Sequence, residues 1–209
     1  MKLPGETFIF IVGTLCSGKT TLLNQIMPKF DKLFLIDKDD ISDSFLMTPD
    51  TEKTKGEYDI SWFNLAGPKI SMESSHYKDF VQKQTYRAML EIAESNLRFG
   101  YSSILQGNYT GQIKDGYFEK VVPDFLKEKN ISPRIKIIFC HAPAEVIKKR
   151  MKERKLHRDI GRLGGDEFDK LIKNQELALK EIGKVGHVKA SGVNPVSENV
   201  EEVISYLLK

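Results

Sequence analysis

Short apolar runs alternate with segments of helical periodicity along this chain. The first run, Phe8-Ile9-Phe10-Ile11-Val12, contains no polar position, which suits a strand buried on both faces. Further runs occupy residues 33–36, 101–105 and 135–140, and a weaker one lies at 187–190. Between them, Leu22, Leu23, Ile26 and Met27 trace a helix stopped by Pro28. Tyr86, Met89, Leu90, Ala93 and Leu97 trace a second, whose end is marked by Gly100. A third begins near Pro143, and a last one carries Val200, Val203, Ile204 and Leu207 after Gly192 and Pro195. This alternation predicts an α/β fold, with a parallel sheet of about five strands and crossover helices on both faces.

In such sheets ligands lie beyond the carboxyl ends of the strands, so the residues after each run carry the candidate chemistry. After the first run comes Gly13-Thr14-Leu15-Cys16-Ser17-Gly18-Lys19-Thr20, the phosphate-binding pattern G-x-x-x-x-G-K-[ST]. Its glycines let successive backbone N–H groups from Gly13 to Thr21 face the phosphates of a nucleoside triphosphate. Lys19 is placed to reach the β and γ phosphates, and Thr20 to put its hydroxyl on Mg²⁺. The helix that follows adds its positive end. The side chain of Cys16 is read as a spacer pointing away from the phosphates.

The chain has 209 residues, 40% of them hydrophobic, which suits one α/β domain over residues 1–209 and argues against a second full domain. A net charge of +3, from 32 basic and 29 acidic residues, is too mild to announce a nucleic-acid binder. Cys16 and Cys140 lack metal-ligand spacing and fit reduced thiols beside strands. The opening residues carry no signal peptide and no stretch reaches membrane-span length, so the expected location is the cytoplasm, without membrane attachment.

The second run ends in Asp37-Lys38-Asp39-Asp40. Asp37 and Asp39 project to one side if the segment is extended or turning, where an acceptor hydroxyl must lose its proton and Mg²⁺ needs oxygen ligands. The competing reading is a solvated acidic turn with Asp39 or Asp40 as a helix N-cap. The third run ends in Gln106-Gly107-Asn108-Tyr109, with no strand-ending carboxylate of the kind motors and switch GTPases use. Gln106 and Asn108 suit hydrogen bonds to a substrate, or an ordinary polar turn. After the fourth run, Arg150, Arg154, Arg158 and Arg162 recur every four residues and form one drifting stripe at helical spacing. Forked guanidinium groups suit phosphate, and Gly161, Gly164 and Gly165 offer the freedom of a closing lid over residues 150–168. His157 reads as a surface residue of that helix.

These features resemble the P-loop small-substrate kinases related to adenylylsulfate kinase, gluconate kinase, polynucleotide 5′-hydroxyl kinase and the zeta-toxin-like kinases. The carriers are the Gly13–Thr21 loop, the Asp37-Lys38-Asp39-Asp40-Ile41 segment, Ile104-Leu105-Gln106-Gly107-Asn108 and the Arg150, Arg154, Arg158 series, within about residues 8–208. The resemblance implies a three-layer P-loop NTPase fold of the small-kinase type with a lid. It also implies a base role for Asp39 toward the acceptor, ATP contacts from the lid arginines, and an adenine-bordering loop at Gly192 and Asn194. Several such kinases carry an arginine where this chain has Ser42, a departure that weakens the polynucleotide kinase reading.

Residues 41–80 exceed a minimal kinase core and set Tyr58, Trp62, Phe63, Tyr77 and Phe80 among polar residues. They read as a substrate cap, with Trp62 among the candidate substrate contacts, or as a small satellite core tethering the insertion. The leading expectation is an ATP- and Mg²⁺-dependent kinase acting on a hydroxyl of a small molecule or nucleotide, as a monomer or homodimer. Lys19, Asp39, Arg154 and Arg158 are its catalytic candidates, Arg150 and Asn194 further ATP contacts, and Thr20 and Asp37 the metal holders. Alternatives are a nucleotide-binding regulatory switch that hydrolyses ATP slowly, and a polynucleotide 5′ end kinase. Asp43, Asp50, Glu52, Glu57 and Asp59 make the second less attractive.

Overall fold

A computed structural model describes residues 1–45, 59–60, 65–66, 74–156, 159, 162–164 and 166–209. Five parallel strands form the central sheet: β1 (Thr7–Val12), β2 (Leu33–Asp37), β3 (Ser102–Gln106), β4 (Arg134–His141) and β5 (Val188–Ser191). Their order is β2-β3-β1-β4-β5, which leaves β1 at the centre and buries all six of its residues. A separate two-residue ladder pairs Asp59–Ile60 with Leu65–Ala66. Each sheet strand lies within one residue of the expected runs, and the continuous apolar run of β1 is buried on both faces.

Side-chain alternation along β1 divides the core in two. Phe8, Phe10 and Val12 face α3 (Gln82–Arg98), which contributes Tyr86, Met89, Leu90 and Ala93. Ile9 and Ile11 face the opposite layer, built by Leu22, Leu23 and Ile26 of α1 (Lys19–Ile26) and by Val200, Val203 and Leu207 from the last helix, residues 196–208. Burial of each such large side chain stabilises the fold by roughly 1.5–3 kcal/mol relative to exposure. The sheet edge is less covered: Phe34 and Leu35 of β2 are exposed.

Among the described residues, three helices went unread in the sequence. They are α4 (Thr110–Lys114), α5 (Val122–Lys129) and α7 (Asp166–Glu181), the last lying beyond α6 (Ala144–Arg154). The final helix, α8, is Val196–Leu208. Both α3 and α5 are entered through a wider π-type turn, Tyr77–Val81 and Tyr117–Val121, in which the next residue's N–H returns to the tyrosine carbonyl.

The arginine stripe is corrected here. Helix α6 ends at Arg154 because Lys155 adopts a left-handed backbone (φ 53°) and its N–H closes on the Met151 carbonyl. Among the described arginines of the series, Arg150 and Arg154 lie on α6, and Arg162 follows in a turn after Asp159. His157, Arg158, Gly161 and Gly165 lie outside the described residues, as do Tyr58, Trp62 and Phe63 of the expected cap.

Candidate active site

The phosphate loop joins β1 to α1, and its backbone is fixed by close approach. Gly13 has φ 136°, and a Cβ there would lie 2.0 Å from the Cys140 carbonyl oxygen of β4. Its N–H donates to the Asn108 carbonyl at 3.0 Å, so the loop is tied to the ends of both neighbouring strands. Positive φ recurs at Cys16 and Gly18, the alternation that gathers N–H groups into a concave anion nest. The first turn of α1 has no acidic residue and no side-chain cap among the described residues, which leaves its N–H groups for an anion.

The loop's own side chains test that reading. Thr14 Oγ1 and Ser17 Oγ are buried without a hydrogen-bond partner among the described residues, as suits a loop that closes around phosphate oxygens. The Lys19 ammonium donates to the carbonyls of Gly13 (2.7 Å) and Thr14 (2.8 Å). Burial holds its pKa below the ordinary lysine value, and the charges of Asp37 and Asp39 partly restore it. Thr20 and Thr21 are exposed on the first turn of α1.

Asp37 closes β2 beside Gln106, which closes β3, in direct register. The two carboxylate oxygens of Asp37 have different partners. Oδ1 accepts from the Asp39 N–H at 2.8 Å, and Oδ2 from the Gln106 carboxamide in a short contact. Asp37 thus caps α2 (Lys38–Phe45), and the expectation of a cap at Asp39 or Asp40 is corrected. Burial raises the Asp37 pKa above the ordinary aspartate value, and the Asp39 and Asp40 charges add to it; its two hydrogen bonds oppose the shift. Asp39, half exposed on the first turn of α2, shares one hollow with Asp37 and Lys19.

That hollow is a cavity of about 930 Å³, walled further by Gln106, Asn108, Tyr86, Tyr117 and Arg162. Asn108 brings its exposed side chain to the rim, where its oxygen accepts from the Thr110 N–H at 3.4 Å and starts α4. Lys38, unsuspected in the sequence, is 7% exposed, and its ammonium donates to Tyr77 Oη at 2.8 Å and Ser42 Oγ at 3.4 Å. It also lies 3.5 Å from Asp39 Oδ1. A buried ammonium needs such partners, and here they stand beside the candidate base. Of the expected cap aromatics, Tyr77 is buried against Val81 and Phe45, which favours the satellite-core reading for it, while Phe80 is exposed.

Arg154 makes a two-pronged ion pair with Asp159, Nε to Oδ2 at 2.6 Å and Nη2 to Oδ1 at 2.8 Å. Asp159 is fully buried, and its carboxylate raises the Arg154 pKa further above the usual arginine value, with lesser help from the charges of Cys16 and Asp39. Arg150 instead donates to two backbone carbonyls, of Cys16 at 3.0 Å and Gly192 at 2.7 Å. A notch of about 80 Å³ beside it is lined by Ser17, Gly18, Thr21, Gly192 and Asn194, where the sequence placed the adenine end. Among the described residues no group of three or more His, Cys, Asp or Glu side chains could hold a metal on its own. No described helix is long and apolar enough to cross a membrane.

The strand order, the loop between β1 and α1 and the two helical layers define a three-layer α/β P-loop NTPase fold. Residues 8–177 match the family profile described as an AAA domain, and the chain belongs to that family of P-loop proteins. Its structural neighbours include P-loop small kinases. A sugar kinase from Janibacter sp. HTCC2649 is 18% identical with a TM-score of 0.59, over 98% of this chain and 95% of that one. A gluconokinase from Sinorhizobium meliloti 1021 is 17% identical with a TM-score of 0.52, over 99% and 93%. A deoxyadenosine kinase from M. mycoides is 16% identical with a TM-score of 0.50, over 96% and 97%. At such identities the likeness is one of fold. No curated protein sequence matches the chain.

Proposed function

We propose that the protein is an ATP- and Mg²⁺-dependent kinase that moves the γ-phosphoryl group of ATP to a hydroxyl of a small molecule or nucleotide. The observation that carries this reading is the convergence of Lys19, Asp37 and Asp39 on one 930 Å³ cavity that opens beside the phosphate loop. A cavity of that size is ample for a small acceptor, and hydrolysis alone has no use for it. Lys19 exchanges its two loop carbonyls for phosphate oxygens and offsets charge as it spreads in the transition state. Asp39 takes the acceptor proton while the hydroxyl oxygen bonds to phosphorus and the bridging bond to the leaving diphosphate breaks. Thr20 and, more remotely, Asp37 would hold Mg²⁺, which would supply neutralisation of phosphate charge. Arg154, braced by Asp159, lies near enough to Asp39 for their charges to interact.

The residues between 41 and 80 act in this reading as a cap over the acceptor, and residues 150–168 as the lid. The test follows labelled γ-phosphate across nucleosides, sugars, sugar acids, aminoglycoside-like alcohols and 5′-hydroxyl oligonucleotides. Transfer to one class is the expected result. Tight ATP binding with slow hydrolysis and no transfer would instead favour a regulatory switch.

A further inference from the structure

We infer that Arg150 is a positioning residue that couples the two halves of the nucleotide site, through backbone and without touching phosphate. The inference rests on the nucleotide reading above. Arg150 sits within α6, yet its guanidinium joins two loops far apart in sequence: Nη1 donates to the carbonyl of Cys16 in the phosphate loop, Nη2 to the carbonyl of Gly192 after β5. Both bonds are charge-assisted and both carbonyls are partly buried, so turning the guanidinium to a phosphate would strip each of its donor.

Each loop is shaped to meet this group. Cys16 holds a left-handed backbone (φ 58°), strained for a residue with a side chain, and its carbonyl is the one Arg150 receives. At Gly192 a Cβ would lie 3.0 Å from Arg150 Nη1 and 2.8 Å from Ala142 Cβ, so only glycine lets the chain pass this close. The Gly192 N–H is fixed on the His141 carbonyl at 2.7 Å. Asn199 fixes the preceding residue by exchanging two 2.9 Å hydrogen bonds with the Ser191 backbone. A rigid base loop and a strained phosphate loop are therefore pinned by one planar fork, and the notch between them is walled by the same guanidinium. A ligand that spans both loops gains most from their fixed separation, whereas one that fills only the phosphate loop gains little.

The experiment compares ATP with inorganic pyrophosphate, which occupies the phosphate loop alone. By titration calorimetry, Arg150→Met should weaken ATP about tenfold, within the usual range of coupling between sites, and pyrophosphate less than threefold. Arg150→Lys should behave like Arg150→Met, since one ammonium cannot fork to both carbonyls. Equal weakening of the two ligands would make Arg150 a phosphate contact and overturn the inference. So would ATP affinity unchanged in both variants. If the variants do not fold, hydrogen exchange on the wild-type protein decides. Pyrophosphate should slow exchange of the amides at Gly192 and Asn194 through the clamp, and unchanged exchange there overturns it. Absence of any ATP or pyrophosphate binding to the wild-type protein would instead remove the nucleotide reading itself, and this inference with it.

Discussion

The Lys38 ammonium and the Tyr77 phenol oxygen are 2.8 Å apart although 39 positions separate them. They join the first turn of α2, beside Asp39, to the turn that enters α3. Tyr77→Phe removes one hydrogen bond to a buried charge and nothing else. Stability should fall by about 2 kcal/mol, read as a lower urea midpoint at constant slope. An unchanged midpoint would show that the bond contributes nothing.

Asp39→Asn should leave ATP affinity within a few-fold of wild type and lower phosphoryl transfer by about a hundredfold, the loss expected for a general base. If ATP affinity collapses instead, Asp39 is a metal-holding or structural residue. Asp37→Ala serves as the contrast, because Asp37 caps α2 and receives Gln106, so its loss should also lower stability.

Lys19→Ala should abolish turnover, by at least about a hundredfold, while the circular dichroism spectrum stays that of the wild type. Turnover at the wild-type rate would remove the phosphate loop from the mechanism.

Much of this site was legible because its signals are local. Gly13 to Thr20 and the carboxylates at 37 and 39 are encoded within a few residues, and the unbroken apolar run before Gly13 had only a buried strand to form. Lys38 was hidden for the opposite reason. Between two aspartates it reads as a solvated charge, and only the return of the chain at Tyr77 buries it. The arginine series misled for Arg162, which lies outside α6 because that helix stops where Lys155 turns left-handed without a glycine or proline to announce it. Helix α4 went unread because Tyr109 enters it in a left-handed conformation after only a Gly-Asn turn, and five residues are too few for a period to appear.

Gly13→Ala should be among the most damaging single substitutions in the chain. The new methyl would overlap a backbone carbonyl at 2.0 Å, and neither the loop nor β4 can retreat. A loss of about 3 kcal/mol or more is expected, roughly a 10 °C drop in Tm by calorimetry. A Tm within 2 or 3 °C of wild type, about 1 kcal/mol for a chain of this size, would contradict the observed closeness of the two strands.

Burial pushes the Cys140 thiol from its ordinary value of 9.0 up to about 12, and Lys19 pulls weakly the other way. At pH 8 only about one thiol in ten thousand is then ionised, so iodoacetamide should modify Cys140 only after unfolding, while half-buried Cys16 reacts slowly in the native protein. Because the unfolded thiol ionises first, stability should fall as pH rises from about 9 towards 12, and Cys140→Ala should flatten that decline. Rapid native labelling of Cys140 would disprove its burial.

The hollows on the two sides of the phosphate loop are unequal, about 930 Å³ towards Asp39 and about 80 Å³ beside Arg150. An inhibitor confined to the smaller one rests against Ser17 and Gly18 of the phosphate loop, whose shape any protein with the same loop pattern must reproduce. Chemical selectivity for this protein is therefore to be sought in the larger hollow, where Lys38, Tyr86 and Tyr117 give the wall a character that the loop pattern does not dictate.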